Sequence, residues 1–177
     1  MEIISERKAQ NIIIGKRSKA SGAFFEKMID AGCAEYERAG VAKIEKQQEP
    51  VHYIKPYGRC GRFIANYAKK SGVDYKGTIR GGRTVCFEAK HTDGDKMLQD
   101  RVRPHQLEYL TAYDVLGASC FILVSFGLTD FFRIPLSTWV LMKERYGRKY
   151  VTKADIEFYR IKTKGKALRF LFEEEIK

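Results

Sequence analysis

Two acids and a lysine stand out in the stretch VDYKGTIRGGRTVCFEAKH, residues 73–91: Asp74, Glu88 and Lys90. The stretch reads as a hairpin folded around Gly81-Gly82, with TVCFEAK as its core strand. Side chains alternate faces along a strand, so Thr84, Cys86, Glu88 and Lys90 share one face. Val85, Phe87 and Ala89 share the other and are expected to pack inward. Whether Asp74 joins the charged face depends on register. A two-residue turn at Gly81-Gly82 pairs Asp74 with Ala89 and aims it at the wrong face. A three-residue loop, or one bulge, pairs it with Glu88 or Lys90, and adjacent glycines make that irregularity the expected one. Two carboxylates a few ångströms apart repel each other and need a cation or a shared proton. Hard oxygen donors with room for water suit Mg²⁺, with Mn²⁺ as the alternative. A cation there would activate water and neutralise charge on a scissile phosphate, while the ammonium orients the water or stabilises the transition state. By itself the spacing D-x13-E-A-K is a weak signal, because strands ending in E-x-K also occur on wet surfaces.

The elements that must position these residues can be read along the chain. Residues 1–18 are polar and basic around one apolar triplet, III at 12–14, and suggest a partly ordered N-terminal arm. The remainder, 19–177, reads as one domain. Phe24, Phe25, Met28, Ile29, Gly32, Cys33 and Tyr36 fall on one face of a helix over 19–39. Glu26 lies about 100° round from Phe25, on the rim of that stripe. Residues 41–49 suggest a strand. Then comes an insertion at about 50–72, with four aromatics, six basic or histidine side chains and no acid between 52 and 70. After the hairpin, Pro104 opens a helix, HQLEYLTAYDVLG, that carries Gln106 near its start. ASCFILVSF (118–126) is a buried strand and FFRI (131–134) its neighbour. PLSTWVLMKERYG (135–147) suggests a further helix, and Thr152 a cap for the next. KALRFLFEEEIK suggests an edge strand or docking segment. The order α-β-(insert)-β-β-α-β-β-α describes an α/β domain with a mixed central sheet flanked by helices.

The chain has 177 residues, 44% of them hydrophobic, enough for one compact domain. A formal net charge of +11 biases its partners toward polyanions, nucleic acid or an acidic membrane face. No apolar run approaches the roughly 20 residues of a membrane helix, and the charged N-terminus does not fit a secretory signal. Cys33, Cys60, Cys86 and Cys120 are widely spaced, which argues against zinc and for free thiols in a reducing cytoplasm.

Asp74, Glu88-Ala89-Lys90 and the helix with Gln106 resemble the PD-(D/E)xK nuclease core, which implies a restriction-endonuclease-like fold. VDYKG, VCFEAKHT and PHQLEYL, with the basic insert ahead of them, resemble RecU-type Holliday junction resolvases over roughly residues 20–140. The resemblance implies a homodimer that cuts four-way DNA junctions by paired symmetric nicks with Mg²⁺ or Mn²⁺. It also implies a cytoplasmic setting in a bacterium or a phage-infected host, with a recombinase or branch-migration helicase as a further partner. Asp74 and Glu88 would bind metal, Glu26 would complete the acidic site, Lys90 would be the catalytic lysine and Gln106 a supporting polar group. The insert would be a stalk projecting into the junction. Val73 stands where the named motif has proline, and the arm and the last 30 residues match weakly.

Within the insert, Lys55, Arg59, Arg62, Lys69 and Lys70 suit phosphates, and Tyr53, Tyr57, Phe63 and Tyr67 suit stacking on exposed bases. Phe63, Ile64 and Tyr67 also have the spacing of one helical face, which would pack the insert on itself or on a dimer mate. Glu26 also suits a plain exposed helix acid, and Gln106 a plain cap. His91 and His105 are expected to face solvent, and Asp93 and Asp95 to lie in a polar loop. Two rival functions remain: a restriction- or repair-type nuclease for duplex DNA, and a junction-binding factor without catalysis. The stalk disfavours the first and the intact acid-acid-lysine set the second.

Overall fold

The structure, a computed structural model, describes residues 2–48, 50–67 and 72–176. Phe25, Met28, Ile29, Cys33 and Tyr36 are all buried and form the inner face of α1 (Glu2–Arg38). Phe24, expected on that face, is exposed. Residues 2–18 continue the same helix, where composition suggested an arm. After β1 (Ala42–Lys46), the insert forms an antiparallel ribbon of β2 (Val51–Pro56) and β3 (Phe63–Tyr67). Phe63 and Ile64 therefore alternate along a strand and share no helical face.

The hairpin strands β4 (Tyr75–Ile79) and β5 (Thr84–Thr92) are joined by a three-residue loop. Tyr75 pairs with Phe87, Lys76 with Cys86, Gly77 with Val85 and Thr78 with Thr84. The Ile79 N–H donates to the Arg83 carbonyl at 2.9 Å, leaving Arg80, Gly81 and Gly82 as the loop. Gly81 and Gly82 take φ of +89° and +92°, a region that L side chains rarely adopt. This is the irregularity expected from the paired glycines, and its register carries Asp74 opposite Glu88.

Beyond β5 come β6 (Met97–Leu98), a 3₁₀ turn at Gln99–Arg101 and α2 (Pro104–Val115). β7 (Ser119–Phe126) and β8 (Asp130–Pro135) complete a five-stranded sheet in the order β1-β4-β5-β7-β8. β5 and β7 run parallel across the α2 crossover and the other pairs are antiparallel, so the sheet is mixed as expected. All eight residues of β7 are buried, as befits a central strand covered on both faces.

The helix expected over 135–147 is broken at Leu141 into α3 (Leu136–Val140) and α4 (Met142–Tyr146). An unbroken α-helix would turn Met142 about 120° away from Leu136. The break lets Leu136, Trp139 and Met142 all enter the core. β9 (Tyr150–Val151) pairs with β6. The next segment is a 3₁₀ stretch, Ala154–Tyr159, beside which the Thr152 N–H and hydroxyl both donate to Asp155 Oδ2 at 2.7 Å. The C-terminal segment forms a hairpin, β10 (Lys162–Lys164) and β11 (Ala167–Arg169), followed by α5 (Glu173–Ile176). β11 docks against α1 at Gly32, where a Cβ would run into the Leu168 carbonyl oxygen.

The sheet separates two apolar cores. On the α1 side, Tyr75, Phe87 and Phe121 stack from strand to strand with centroids 4.9 and 4.8 Å apart, and Phe170 of the C-terminal segment covers them. On the α2 side, Cys86, Leu110, Ile122, Val124 and Trp139 pack together. Cys86, expected on a polar face, is thus as buried as Phe87. No helix of the described residues is long and apolar enough to cross a membrane.

Candidate active site

The register set by the three-residue loop makes Asp74 and Glu88 neighbours. The Asp74 N–H donates to Glu88 Oε1 at 3.0 Å, and the Ala89 N–H donates to Asp74 Oδ2 at 2.9 Å. Each carboxylate is therefore held by the other strand's backbone. Lys90 Nζ lies 2.6 Å from Glu88 Oε2 and 3.5 Å from Asp74 Oδ2. Gln106 arrives on the first turn of α2. Its Oε1 accepts the Arg103 N–H at 3.0 Å, and its Nε2 donates to Glu88 Oε2 at 2.7 Å. Capping and site contact, which looked like alternatives, are one arrangement. The three charged side chains form a gradient: Glu88 is 0% exposed, Lys90 14% and Asp74 30%, so the group opens to solvent at Asp74.

Burial first, and then the Asp74 carboxylate, push Glu88 up from 4.5 to about 8, against the pull of Lys90. A lone ammonium thus leaves the acid pair short of positive charge. That deficit is the fit to a divalent cation: two hard oxygen donors, one open to water, with a proton that a cation would displace. Glu26 stands apart from the pair. Its Oε2 accepts from Lys46 Nζ at 2.8 Å, and this bond is the main cause holding Lys46 above its usual range, with Asp30 and Asp74 adding to it. Tyr75 ties the same helix to the hairpin, its hydroxyl donating to Asp30 Oδ1 at 2.9 Å and approaching the Glu26 carbonyl at 3.4 Å. Among the described residues no group of three His, Cys, Asp or Glu side chains is close enough to hold a metal by itself. The assembled donors are therefore Asp74 and Glu88, while Glu26 is bound to Lys46, whose charge also feels Asp74.

The insert places Tyr53, Lys55, Tyr57, Arg59, Arg62 and Phe63 exposed on its ribbon, with the Tyr53 and Phe63 rings 5.7 Å apart. Tyr67 ends β3, while Lys69 and Lys70 lie outside the described residues. His91, expected in solvent, is buried: its Nδ1 lies 3.1 Å from Ser125 Oγ and its Nε2 3.1 Å from Asp93 Oδ1. β5 runs two residues past Lys90 and pairs His91 with Ser125, which sets the ring beside that serine. His105 is half-buried on α2. Sequence reading missed Lys46, Arg101 and Arg103. Lys46 ends a strand whose alternation could have placed it, whereas the two arginines reach the site only through the fold of the β6–α2 connection.

The sequence model of the family described as RecU, Recombination protein U, matches residues 20–176. The chain belongs to this family. Similar RecU proteins include two named Holliday junction resolvase RecU from Streptococcus pneumoniae. That of strain Hungary19A-6 is 28% identical over 130 residues, covering 70% of this chain and 65% of that protein. That of strain CGSP14 is 26% identical over 131 residues, covering 71% and 66%. The match to this chain thus spans just under two thirds of these RecU relatives. Among solved structures, Archaeoglobus fulgidus Hjc, a Holliday junction resolvase, aligns with a TM-score of 0.46 and 14% identity, covering 77% of this chain and 93% of that one.

Proposed function

We propose that this RecU-family chain is a metal-dependent, structure-selective endonuclease that resolves four-way DNA junctions by paired symmetric nicks in recombination and repair. The observation that carries the reading is the meeting of Asp74, Glu88 and Lys90 at one strand end in a chain of this family. The names of its S. pneumoniae relatives, Holliday junction resolvase RecU, point to the same substrate. Asp74 and Glu88 would hold Mg²⁺ or Mn²⁺, with Glu26 completing the acidic set. A bound cation supplies positive charge at the scissile phosphate and makes water a better nucleophile at neutral pH. Asp74 and Glu88 keep the attacking water within the reach of the Lys90 ammonium. Lys90 orients that water and meets the charge that grows on the phosphate oxygens. Gln106 is a positioning residue, pinning the Glu88 carboxylate from α2.

The ribbon supplies Tyr53, Tyr57 and Phe63 for stacking on unpaired bases at a junction centre, and Lys55, Arg59 and Arg62 for phosphates. Tyr67, Lys69 and Lys70 are the remaining candidates for this contact. A homodimer matches a two-fold junction with two equivalent sites. The setting is the cytoplasm of a bacterium or of a phage-infected host, with a recombinase or branch-migration helicase as a further partner.

The test uses a labelled mobile four-way junction and a matched linear duplex, with and without Mg²⁺ or Mn²⁺. Paired nicks on the junction alone, lost in Asp74→Asn, support the reading. Equal cutting of the duplex would make the chain a duplex nuclease, and binding without cutting would make it a DNA-binding factor.

A further inference from the structure

Beside the acid pair lies a polar cleft of about 560 Å³, lined by Lys90, Asp100, Arg101, Arg103 and Gln106. Three of these side chains are cationic and one is acidic. Among the described residues neither Arg101 nor Arg103 forms an ion pair. Elsewhere Arg133, Arg148, Arg160 and Arg169 each hold a carboxylate. Two guanidiniums facing one cleft without such a partner are a standing demand for an anion.

Both arginines are tied to the reacting strand. Arg101 Nη2 donates to the His91 carbonyl at 3.4 Å, one residue past Lys90. Arg103 is the cap residue of α2, its N–H held by the same Gln106 that donates to Glu88. Pro104 restricts Arg103 to an extended backbone, observed at φ −72° and ψ 154°, and Val102 between the two arginines is buried. The backbone of this connection is therefore fixed relative to Lys90 and Glu88, and the cleft is continuous with them through Lys90 and Gln106.

We propose that this cleft seats a second backbone phosphate of the cut strand, next to the scissile one, with Arg101 and Arg103 as the groups that bind it. The planar guanidinium fork suits a phosphate held by two oxygens, and Asp100 sets one edge of the cleft by repelling it. Seating that neighbour fixes which phosphodiester is presented to Lys90. The identity of the anion rests on the nuclease reading above. The fixed position of the cleft relative to the acid pair does not.

The test reads binding as well as cutting. A four-way junction with single methylphosphonate substitutions, which remove one phosphate charge at a time, is scanned along the strand against the Asp74→Asn protein. One position per site is expected to weaken binding about ten-fold or more, the scale of a lost charge-assisted bond. In an Asp74→Asn protein that also carries Arg101→Gln and Arg103→Gln, that position should lose its effect, and the slope of log affinity against log salt should fall by about one for each contact removed. Arg101→Lys with Arg103→Lys keeps the charge and should restore the slope but not the full affinity. An unchanged slope and an unchanged scan in a folded Gln variant would overturn the proposal. If the otherwise unmodified protein never cuts the junction but the scan still changes, the nuclease reading fails while the phosphate seat stands.

Discussion

Lys90 and Glu88 share one 2.6 Å contact, yet they answer different experiments. Lys90 is one positive charge in a chain of net +11, so its loss removes little of the attraction for DNA. Lys90→Ala is expected to bind a junction almost as well as the unmodified protein and to cut it at least 100-fold more slowly, the scale of a lost transition-state donor. Equal loss of binding and cutting would make Lys90 a structural residue. Glu88 reports instead through protons. It keeps its proton up to about 8 in the folded protein, against 4.5 for an ordinary glutamate. Between those values the folded state holds the extra proton, so this group's contribution to stability is greatest below 4.5 and declines as pH rises toward 8. In metal-free buffer the melting temperature should fall across that window, and Glu88→Gln should flatten the fall. Added Mg²⁺ at neutral pH should release a proton, read by calorimetry in buffers of different ionisation heat. A Glu88→Gln protein with the same pH slope would place the proton elsewhere.

The loop between β4 and β5 turns sequence into site. Asp74 and Glu88 stand 14 residues apart in the chain and become neighbours only because Arg80, Gly81 and Gly82 make a loop of three. Gly81→Asn creates an Asn-Gly pair that favours a two-residue turn with Arg80 opposite Arg83, which pairs Asp74 with Ala89 and swings it off the Glu88 face. Such a variant should keep junction binding and lose cutting; retained cutting would mean that the register is fixed by the sheet and not by the loop. This link was legible in the sequence because glycine pairs have few uses and strand alternation has only one period. The helix face of α1, the buried strand β7 and the mixed sheet were legible for the same reason. What was not legible depended on contacts between distant segments: His91 bonding to Ser125, Lys46 reaching Glu26, and the break that returns Met142 to the core. The ribbon of β2 and β3 was readable as a basic, aromatic projection but not as strands. None of residues 51–66 is buried, so the ribbon adds nothing to either core. Replacing 52–66 by a short glycine-serine link should leave the melting temperature within a few degrees, since surface changes cost about 0.5 kcal/mol or less. Junction preference over duplex should fall. A collapse of the fold would make the ribbon a structural element.

At the scale of the whole molecule, charge and symmetry divide the work. The +11 charge draws in any nucleic acid, so affinity alone carries little discrimination and should drop steeply with salt for junction and duplex alike. On the proposed junction reading, selectivity would come from geometry: where the ribbon sits in a branch point, and how two sites are spaced in a dimer. On the proposed reading, one acid pair with one lysine would serve one cut at a time. A four-way junction needs two cuts, in strands related by a two-fold axis, so paired nicking requires two chains bound together. A mixed dimer of one unmodified and one Asp74→Asn chain tests this directly. It should bind the junction like the unmodified dimer, nick one strand of the pair and leave the other intact, giving nicked junctions rather than resolved duplexes. Full resolution by the mixed dimer would mean that one site serves both strands. A monomer in solution that still makes paired nicks would remove symmetry from the account, leaving the ribbon alone to choose the substrate.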